Sequence, residues 1–228
     1  MFTRNRILAF VAISVAIACI SLGFWQLSRL ADRKKQNAFL ASRRFAPQVE
    51  LDSLPRDTAA AHFRRVHLAG GYDHAQEIIY TLRGRHGSPG VNILTPLLRN
   101  GKDTVVLVNR GWIYSADGTT VDTQRWREAD TLNGAGFVET FPTKGPFPAP
   151  NPARPRSFRR LDRAALQKVL PYPIANYYVV LTDSSSPSAP PRVEPRPLDN
   201  GPHLSYAIQW FSFAAISIIG LVIFLRRT

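Results

Sequence analysis

Two uncharged apolar runs, one near each end of the chain, constrain this sequence more than anything between them. Ile7 to Leu27 is bracketed by Arg4 and Arg6 before and by Arg29, Arg33, Lys34 and Lys35 after; Leu204 to Leu225 follows His203 and ends at Arg226 and Arg227. At about 1.5 Å of rise per residue, each run crosses a hydrocarbon core roughly 30 Å thick as a helix. The first run continues through Phe24 and Trp25, so it reads as a retained anchor, not as a signal peptide with a short core and a small-residue cleavage site. Cys19 after Ala16, Ile17 and Ala18 gives a lipoprotein cleavage box as the other reading, against which the apolar residues continue past it. Two spans put both termini on one side of a membrane and the intervening chain on the other. Arg4, Arg6, Arg226 and Arg227 favour cytoplasmic termini and the Arg29 to Lys35 cluster favours the reverse; a domain of this length translocates largely regardless of charge, so charge leaves the orientation open.

Of the 228 residues, those between the spans suffice for one water-exposed domain with its own core. Ser28 to Phe45 is rich in helix formers and extends the first span as a basic helix that Pro47 and Pro55 end. Beyond it, short runs rich in Val, Ile and Tyr predict strands over Arg65 to Tyr72, Glu77 to Leu82, Val91 to Arg99 and Thr104 to Tyr114, with later strands over Gly134 to Phe141 and Ile174 to Thr182. Asn100-Gly101 predicts a tight two-residue hairpin turn with positive φ at both central positions. Asp162 to Leu170 reads as a short helix. The proline-dense stretches Pro142 to Pro155 and Ser184 to Pro197 cannot be sheet interior, and the second reads as an extended strap returning the chain to the bilayer. The fold class is therefore an α+β membrane protein: N- and C-terminal transmembrane helices flanking a small antiparallel β-sheet or partly closed barrel with one or two short helices.

The net charge of +13 is spread over the domain as well as the helix ends. Anionic lipid headgroups or a carboxylate-bearing ligand answer to such a surface. Nucleic acid is set aside, because no helix-turn-helix, zinc-finger or ribonucleoprotein pattern is present and the domain is fixed to a bilayer. The single cysteine, Cys19, lies in a span, so the domain has no disulfide, thiolate metal site or cysteine nucleophile. There is no Gly-x-Ser-x-Gly elbow, phosphate-binding Gly-rich loop or His-Glu-x-x-His pair. His62, His67, His74 and His86 do not fall at metal-ligand spacings, and His67, in the alternating Val66-His67-Leu68, points away from the core.

Leu22-Gly23-Phe24-Trp25-Gln26-Leu27-Ser28-Arg29-Leu30 with Lys34, Arg65-Val66-His67-Leu68 with Gly70 and Tyr72, Leu94-Thr95-Pro96-Leu97, Leu107-Val108-Asn109-Arg110-Gly111-Trp112-Ile113, and His203-Leu204-Ser205-Tyr206-Ala207-Ile208-Gln209-Trp210-Phe211 occur in that order. Together they resemble the Surfeit locus protein 1 family, which assists assembly of cytochrome c oxidase. Nearly the whole chain takes part, Asn133 to Pro197 only loosely. The sequence departs from the family pattern at Tyr114, where proline is commoner, and around Phe158 and Asp162, where a tryptophan is common. The resemblance implies a non-enzymatic protein with residues 1–6 and 226–228 in the cytoplasm, spans over 7–27 and 204–225, and residues 28–203 as an extracytoplasmic β-rich domain. Its location would be the inner (plasma) membrane of a bacterium with the domain in the periplasm, or the mitochondrial inner membrane in a eukaryote. Its implied partners are oxidase subunit I, other oxidase assembly factors and membrane lipids, and its implied cargo is heme a, with His203 as the residue concerned.

The residues bear on that implication separately. His203 lies where lipid meets water, with Tyr206, Trp210, Phe213 and Ser217 following on one helix face. Opposed spans bring Trp25, Gln26 and Arg29 level with His203, Tyr206 and Trp210. Heme needs an imidazole nitrogen for iron, aromatic walls for the ring and cations for its propionates. His203 answers the first, Trp25 with Trp210 the second, and Arg29 with Arg33 or Lys34 the third. Plainer readings stand beside these. Trp25, Tyr206 and Trp210 serve as interfacial anchors; His203 starts a helix and bonds Asn200 or Gln26; Gly23 lets helices approach; Arg110 braces the sheet. The competing functional classes are a heme-handling assembly chaperone, a structural chaperone that docks on nascent oxidase without binding heme, and an unrelated anchored sensor or hydrolase.

Overall fold

The computed structural model describes residues 2–55, 57–145, 148, 151–183, 189–195 and 197–226, with backbone alone at 2–5. In chain order the elements are α1 (Phe2–Arg44), β1 (Val49–Glu50), α2 (Thr58–Ala61), β2 (Arg65–Tyr72), β3 (Ile78–Tyr80), β4 (Gly90–Leu98), β5 (Val105–Tyr114), β6 (Thr131–Thr140), β7 (Ser157–Phe158), α3 (Arg163–Val169), β8 (Ile174–Leu181) and α4 (His203–Arg226). Parts of the expected reading fall outside the described residues: the basic flanks at Arg4 and Arg227, residues 146, 147, 149 and 150 of the first proline-rich stretch, and residues 184–188 and 196 of the second. The chain divides into two compact units, Met1–Ala41 with Pro197–Thr228, and Ser42–Arg196.

In the helical unit, α1 and α4 are both long and apolar enough to cross a membrane. Their large apolar side chains face outward, as at Phe10 (73% exposed), Phe24 (62%) and Ile216 (65%). A soluble core helix buries such groups; these present them to lipid. The residues α1 covers are small: Ala9, Ala12, Ala16, Cys19 and Gly23 recur at alternating spacings of three and four, continued by Gln26, Leu30 and Asn37. On α4 the covered positions include His203, Ala207, Trp210, Phe211 and Ala214. Small residues let two helix backbones approach where no hydrophobic drive exists between them.

The second unit is a barrel. Strands β2, β6, β8, β5 and β4 pair in that order, and β4 returns to β2, with Gly71 opposite Leu98 and Tyr72 opposite Leu97. Closure depends on Gly70, because a Cβ there would sit 2.3 Å from the Leu98 carbonyl oxygen. β1 lies alongside β2, and β3 with β7 extends the sheet from β4. The sheet thus closes into a barrel, one of the two forms expected, and its pairing is mixed where antiparallel pairing was expected: β1–β2, β3–β7 and β5–β8 are parallel. β5 and β8 are joined by a long path through β6, β7 and α3, and such a crossover permits parallel pairing where a hairpin cannot.

The β4–β5 hairpin is antiparallel as expected, but its turn differs. β4 ends at Leu98 and β5 begins at Val105, and the Lys102 N–H donates to the Arg99 carbonyl at 3.1 Å. Only Gly101 adopts positive φ (69°); Asn100 does not, so the connection is a longer loop around a turn with one left-handed residue.

β5 is apolar on both faces because each meets a core. Val106 and Val108 join Leu68, Leu97, Val138, Val179 and Leu181 in one cluster. Val105 and Leu107 join Leu94, Phe158, Leu161, Leu166 and Ile174 in another, to which α3 contributes Leu166. α3 starts where Asp162 accepts a bond from the Ala164 N–H at 2.9 Å, a side-chain cap on an otherwise unsatisfied donor. The described part of the second proline-rich stretch is neither helix nor strand, and the Trp112 N–H of β5 donates to its Pro191 carbonyl at 2.9 Å.

Candidate functional site

The helical unit's polar contacts converge on the first turn of α4 and the chain leading into it. Arg33 Nε and Asn37 Nδ2 of α1 both donate to the Asp199 carbonyl at 3.0 Å, and Asn37 Nδ2 also lies 3.0 Å from Asn200 Oδ1. Asp199 Oδ1 in turn accepts from the Gly201 N–H at 3.0 Å. Further along α1, Gln26 Oε1 lies 2.9 Å from His203 Nδ1. Beyond that, Gly23 faces the Phe211 ring so closely that a Cβ would stand 2.6 Å from it, and Phe24 meets the same ring edge-on with centroids 5.4 Å apart. α1 and α4 therefore run antiparallel, fixed by hydrogen bonds at this end and by small-residue packing below.

Of the six residues singled out in sequence, Gln26 and His203 are joined directly. Trp25 and Arg29 meet each other, the guanidinium carbon 5.9 Å from the indole centroid, as residues four apart on a helix do. Trp25 is 53% exposed, and Arg29 reaches Asp32 at 4.0 Å. Tyr206 is 45% exposed; Trp210 is half-buried and packs edge-on against Phe213 at 6.0 Å. Among the described residues, no hydrogen bond or ring contact links Trp25 or Arg29 to Tyr206 or Trp210. Among the described residues, no contact joins these aromatics to one another or to His203 as a closed box. The clamp by Arg33 and Asn37 was not anticipated. Its signal was the seam spacing, which continues past the apolar run to Asn37.

With Gln26 Oε1 as the acceptor, the ring donates from Nδ1, and the lone pair of a neutral imidazole is then on Nε2. Gly201, at φ 70°, is beside that nitrogen: a Cβ on it would lie 3.6 Å from Nε2. The arrangement leaves one imidazole nitrogen, Nε2, without a hydrogen bond among the described residues at the start of α4. Among the described residues no group of three or more His, Cys, Asp or Glu could hold a metal ion.

The barrel's charged residues are arranged differently. Arg110 is fully buried at a bulge where Ile93 opposes Gly111 and Leu94 opposes Asn109. Its Nη2 reaches Glu77 Oε1 at 2.6 Å, Nη1 reaches Glu128 Oε2 at 3.1 Å and the Trp126 carbonyl at 2.8 Å, and Nε donates to Thr95 Oγ1 at 2.8 Å. Glu77 Oε1 also accepts from Thr95 Oγ1 and His74 Nδ1, and Glu128 is bonded by Arg192 at 2.6 Å. Tyr72, whose ring centroid is 5.8 Å from the Arg110 guanidinium carbon, has its hydroxyl pKa pushed well up by burial. Arg110 therefore braces the sheet. A cleft of about 410 Å3 lined by His74, Glu77, Thr123, Arg154 and Arg156 lies beside this network.

Comparison with known proteins agrees with the sequence motifs. Residues 13–215 match the SURF1 family. A SURF1-like protein of Rickettsia conorii is 26% identical over 98% of this chain and 92% of its own length. An uncharacterized SURF1-like protein of Mycobacterium tuberculosis is 30% identical over 94% of this chain and 80% of its own. Surfeit locus protein 1 of Mus musculus is 25% identical over 94% of this chain and 74% of its own. The chain belongs to the SURF1 family.

Proposed function

We propose that this SURF1 family member is an assembly factor for cytochrome c oxidase that binds heme a and assists its insertion into subunit I. It is a multi-pass protein of the inner membrane, in a bacterium with both termini cytoplasmic and the β-domain periplasmic, and it turns over no substrate. Heme is its cargo, not a resident cofactor. The observation that carries this reading is His203, at the water-facing start of α4, bonded through Nδ1 to Gln26 Oε1 at 2.9 Å. Its other ring nitrogen is left to ligate iron. Tyr206, Trp210 and Trp25 supply aromatic surface for the ring, and Arg29 with Arg33 supplies cations for propionates. One histidine with an open or weak second axial position holds a cargo that must be surrendered. Further support comes from the family match and from two helices with lipid-facing apolar surfaces.

The test is expression in cells that make heme a, followed by absorption spectra and pyridine hemochrome analysis of the purified protein. The parent is expected to carry a Soret band that His203→Ala loses. Equal heme absorbance and stoichiometry in parent and variant would remove His203 from the site. Co-purification of the parent with subunit I but without a Soret band would instead establish a chaperone that docks without heme.

A further inference from the structure

Resting on the reading of His203 as the iron ligand, we propose that Gln26 is its positioning residue: the Gln26 carboxamide fixes the imidazole with the proton on Nδ1 and sets how strongly Nε2 can donate to iron. A solvated histidine exchanges its proton between the two nitrogens, and only the Nδ1–H form presents Nε2 as a ligand. Gln26 Oε1, 2.9 Å from Nδ1, selects that form, while the missing side chain of Gly201 keeps the Nε2 edge uncrowded. α1 fastens the same turn a second time through Arg33 and Asn37 on Asp199, which holds the Gly201 N–H. The ring's tautomer and the loop that carries it are thus both set from one helix.

The kind of acceptor matters. A carboxylate at this position would draw the Nδ1 proton strongly and make the imidazole a more basic, tighter iron ligand. A neutral carboxamide orients the ring with less electron donation. Gln26 suits a histidine that must bind heme and then release it.

Two measurements test this, and their failures are separable from failure of the heme assignment. In the heme-free full-length protein in detergent, 15N NMR of labelled histidines at alkaline pH should find His203 as the Nδ1–H tautomer in the parent and in Gln26→Glu, with the Nε2–H form gaining in Gln26→Leu. A parent dominated by Nε2–H would overturn the proposal whether or not heme binds. In protein loaded with heme, Gln26→Glu should lower the reduction potential and slow heme loss, and Gln26→Leu should weaken retention by about 10-fold or more. Unchanged potential and retention in both variants would overturn the tuning role. If the parent takes up no heme, the proposed function fails while the tautomer measurement still decides what Gln26 does.

Discussion

The barrel buries its central polar group and the helix pair leaves its own partly exposed, and they treat them in opposite ways. In the barrel, the fully buried Arg110 is surrounded by Glu77, Glu128, Thr95 and the Trp126 carbonyl, and the acids have further donors in His74 and Arg192. The guanidinium is bonded at each of its nitrogens, as a low-dielectric interior demands when a lone charge there is so costly, while at the edge of the network the buried His74 Nε2 and Tyr72 hydroxyl have no hydrogen-bond partner among the described residues. In the helix pair, among the described residues, His203 has one hydrogen-bond partner, Gln26, and one ring nitrogen without a hydrogen bond. A group with valence to spare can take a ligand and a saturated one cannot. The motif around Arg110 therefore braces a scaffold, and the motif around His203 is the one to which the proposed heme binding is assigned.

Removing the central charge from this network gives the largest expected effect. Arg110→Leu leaves Glu77 and Glu128 facing each other without their shared cation and should destabilise the barrel by about 3–5 kcal/mol, read as a fall in denaturant midpoint of the full-length protein. Replacing Arg110, Glu77 and Glu128 together by apolar residues should recover part of that loss, since no uncompensated charge remains. If the single substitution is mild, the guanidinium does not hold the network and the contrast with the helix pair collapses.

Next is closure of the barrel. Gly70→Ala drives a methyl into the Leu98 carbonyl oxygen, which is backbone and cannot swing aside; a loss of about 1–3 kcal/mol is expected, with faster hydrogen exchange at the β2–β4 pairing. Gly23→Ala meets only the Phe211 ring, a side chain that can turn, so about 1 kcal/mol or less should be lost from the helix pair. Spin labels on α1 and α4 should report separation by an ångström or two while the barrel's exchange is unchanged. An equal response of both units to Gly23→Ala would contradict their treatment as separate packing problems.

What could be read from sequence followed the reach of the physics involved. The spans, the alternating strands and the Asp162-capped helix are local patterns of hydrophobicity and capping, and they fall where expected, with β2 at Arg65–Tyr72 and β8 at Ile174–Leu181. The parallel β5–β8 pairing and the return of β4 to β2 depend on residues far apart in the chain, and no local period reports them. Asn100-Gly101 marked the hairpin correctly but not its turn, because the strands stop with their apolar residues at Leu98 and Val105 and leave Arg99 to Thr104 to the loop. At the site, Gln26 was one of the two partners expected for His203 as a helix-start residue, the other being Asn200, and the structure forms the bond to Gln26. Arg33 and Asn37 were obscured by the basic stretch around them, which reads as a solvated face until the seam spacing is followed through it.

The smallest effect gives the sharpest control, because it concerns another histidine bonded through Nδ1. His67 projects from β2 with Nδ1 3.1 Å from Glu50 Oε2 and Nε2 2.7 Å from Asn133 Oδ1. Both nitrogens face acceptors, so the doubly protonated ring satisfies both, and its pKa is raised above 6.5 chiefly by the Glu50 bond and then by that of Asn133. A folded-state pKa above the unfolded value stabilises the fold fully below about 6.5 and loses that contribution as pH rises through the raised value. For so exposed a pair the gain is about 0.5 kcal/mol or less. The stability difference between the parent and His67→Gln should therefore favour the parent at pH 5 and shrink by pH 8, and Glu50→Gln should flatten most of that dependence. A difference that does not vary with pH would mean that the two acceptors do not hold the proton. His67 should also bind no heme under conditions that load His203, since both its nitrogens are committed to oxygen acceptors; uptake at both would mean that a single hydrogen-bonded nitrogen does not distinguish the membrane site from the barrel surface.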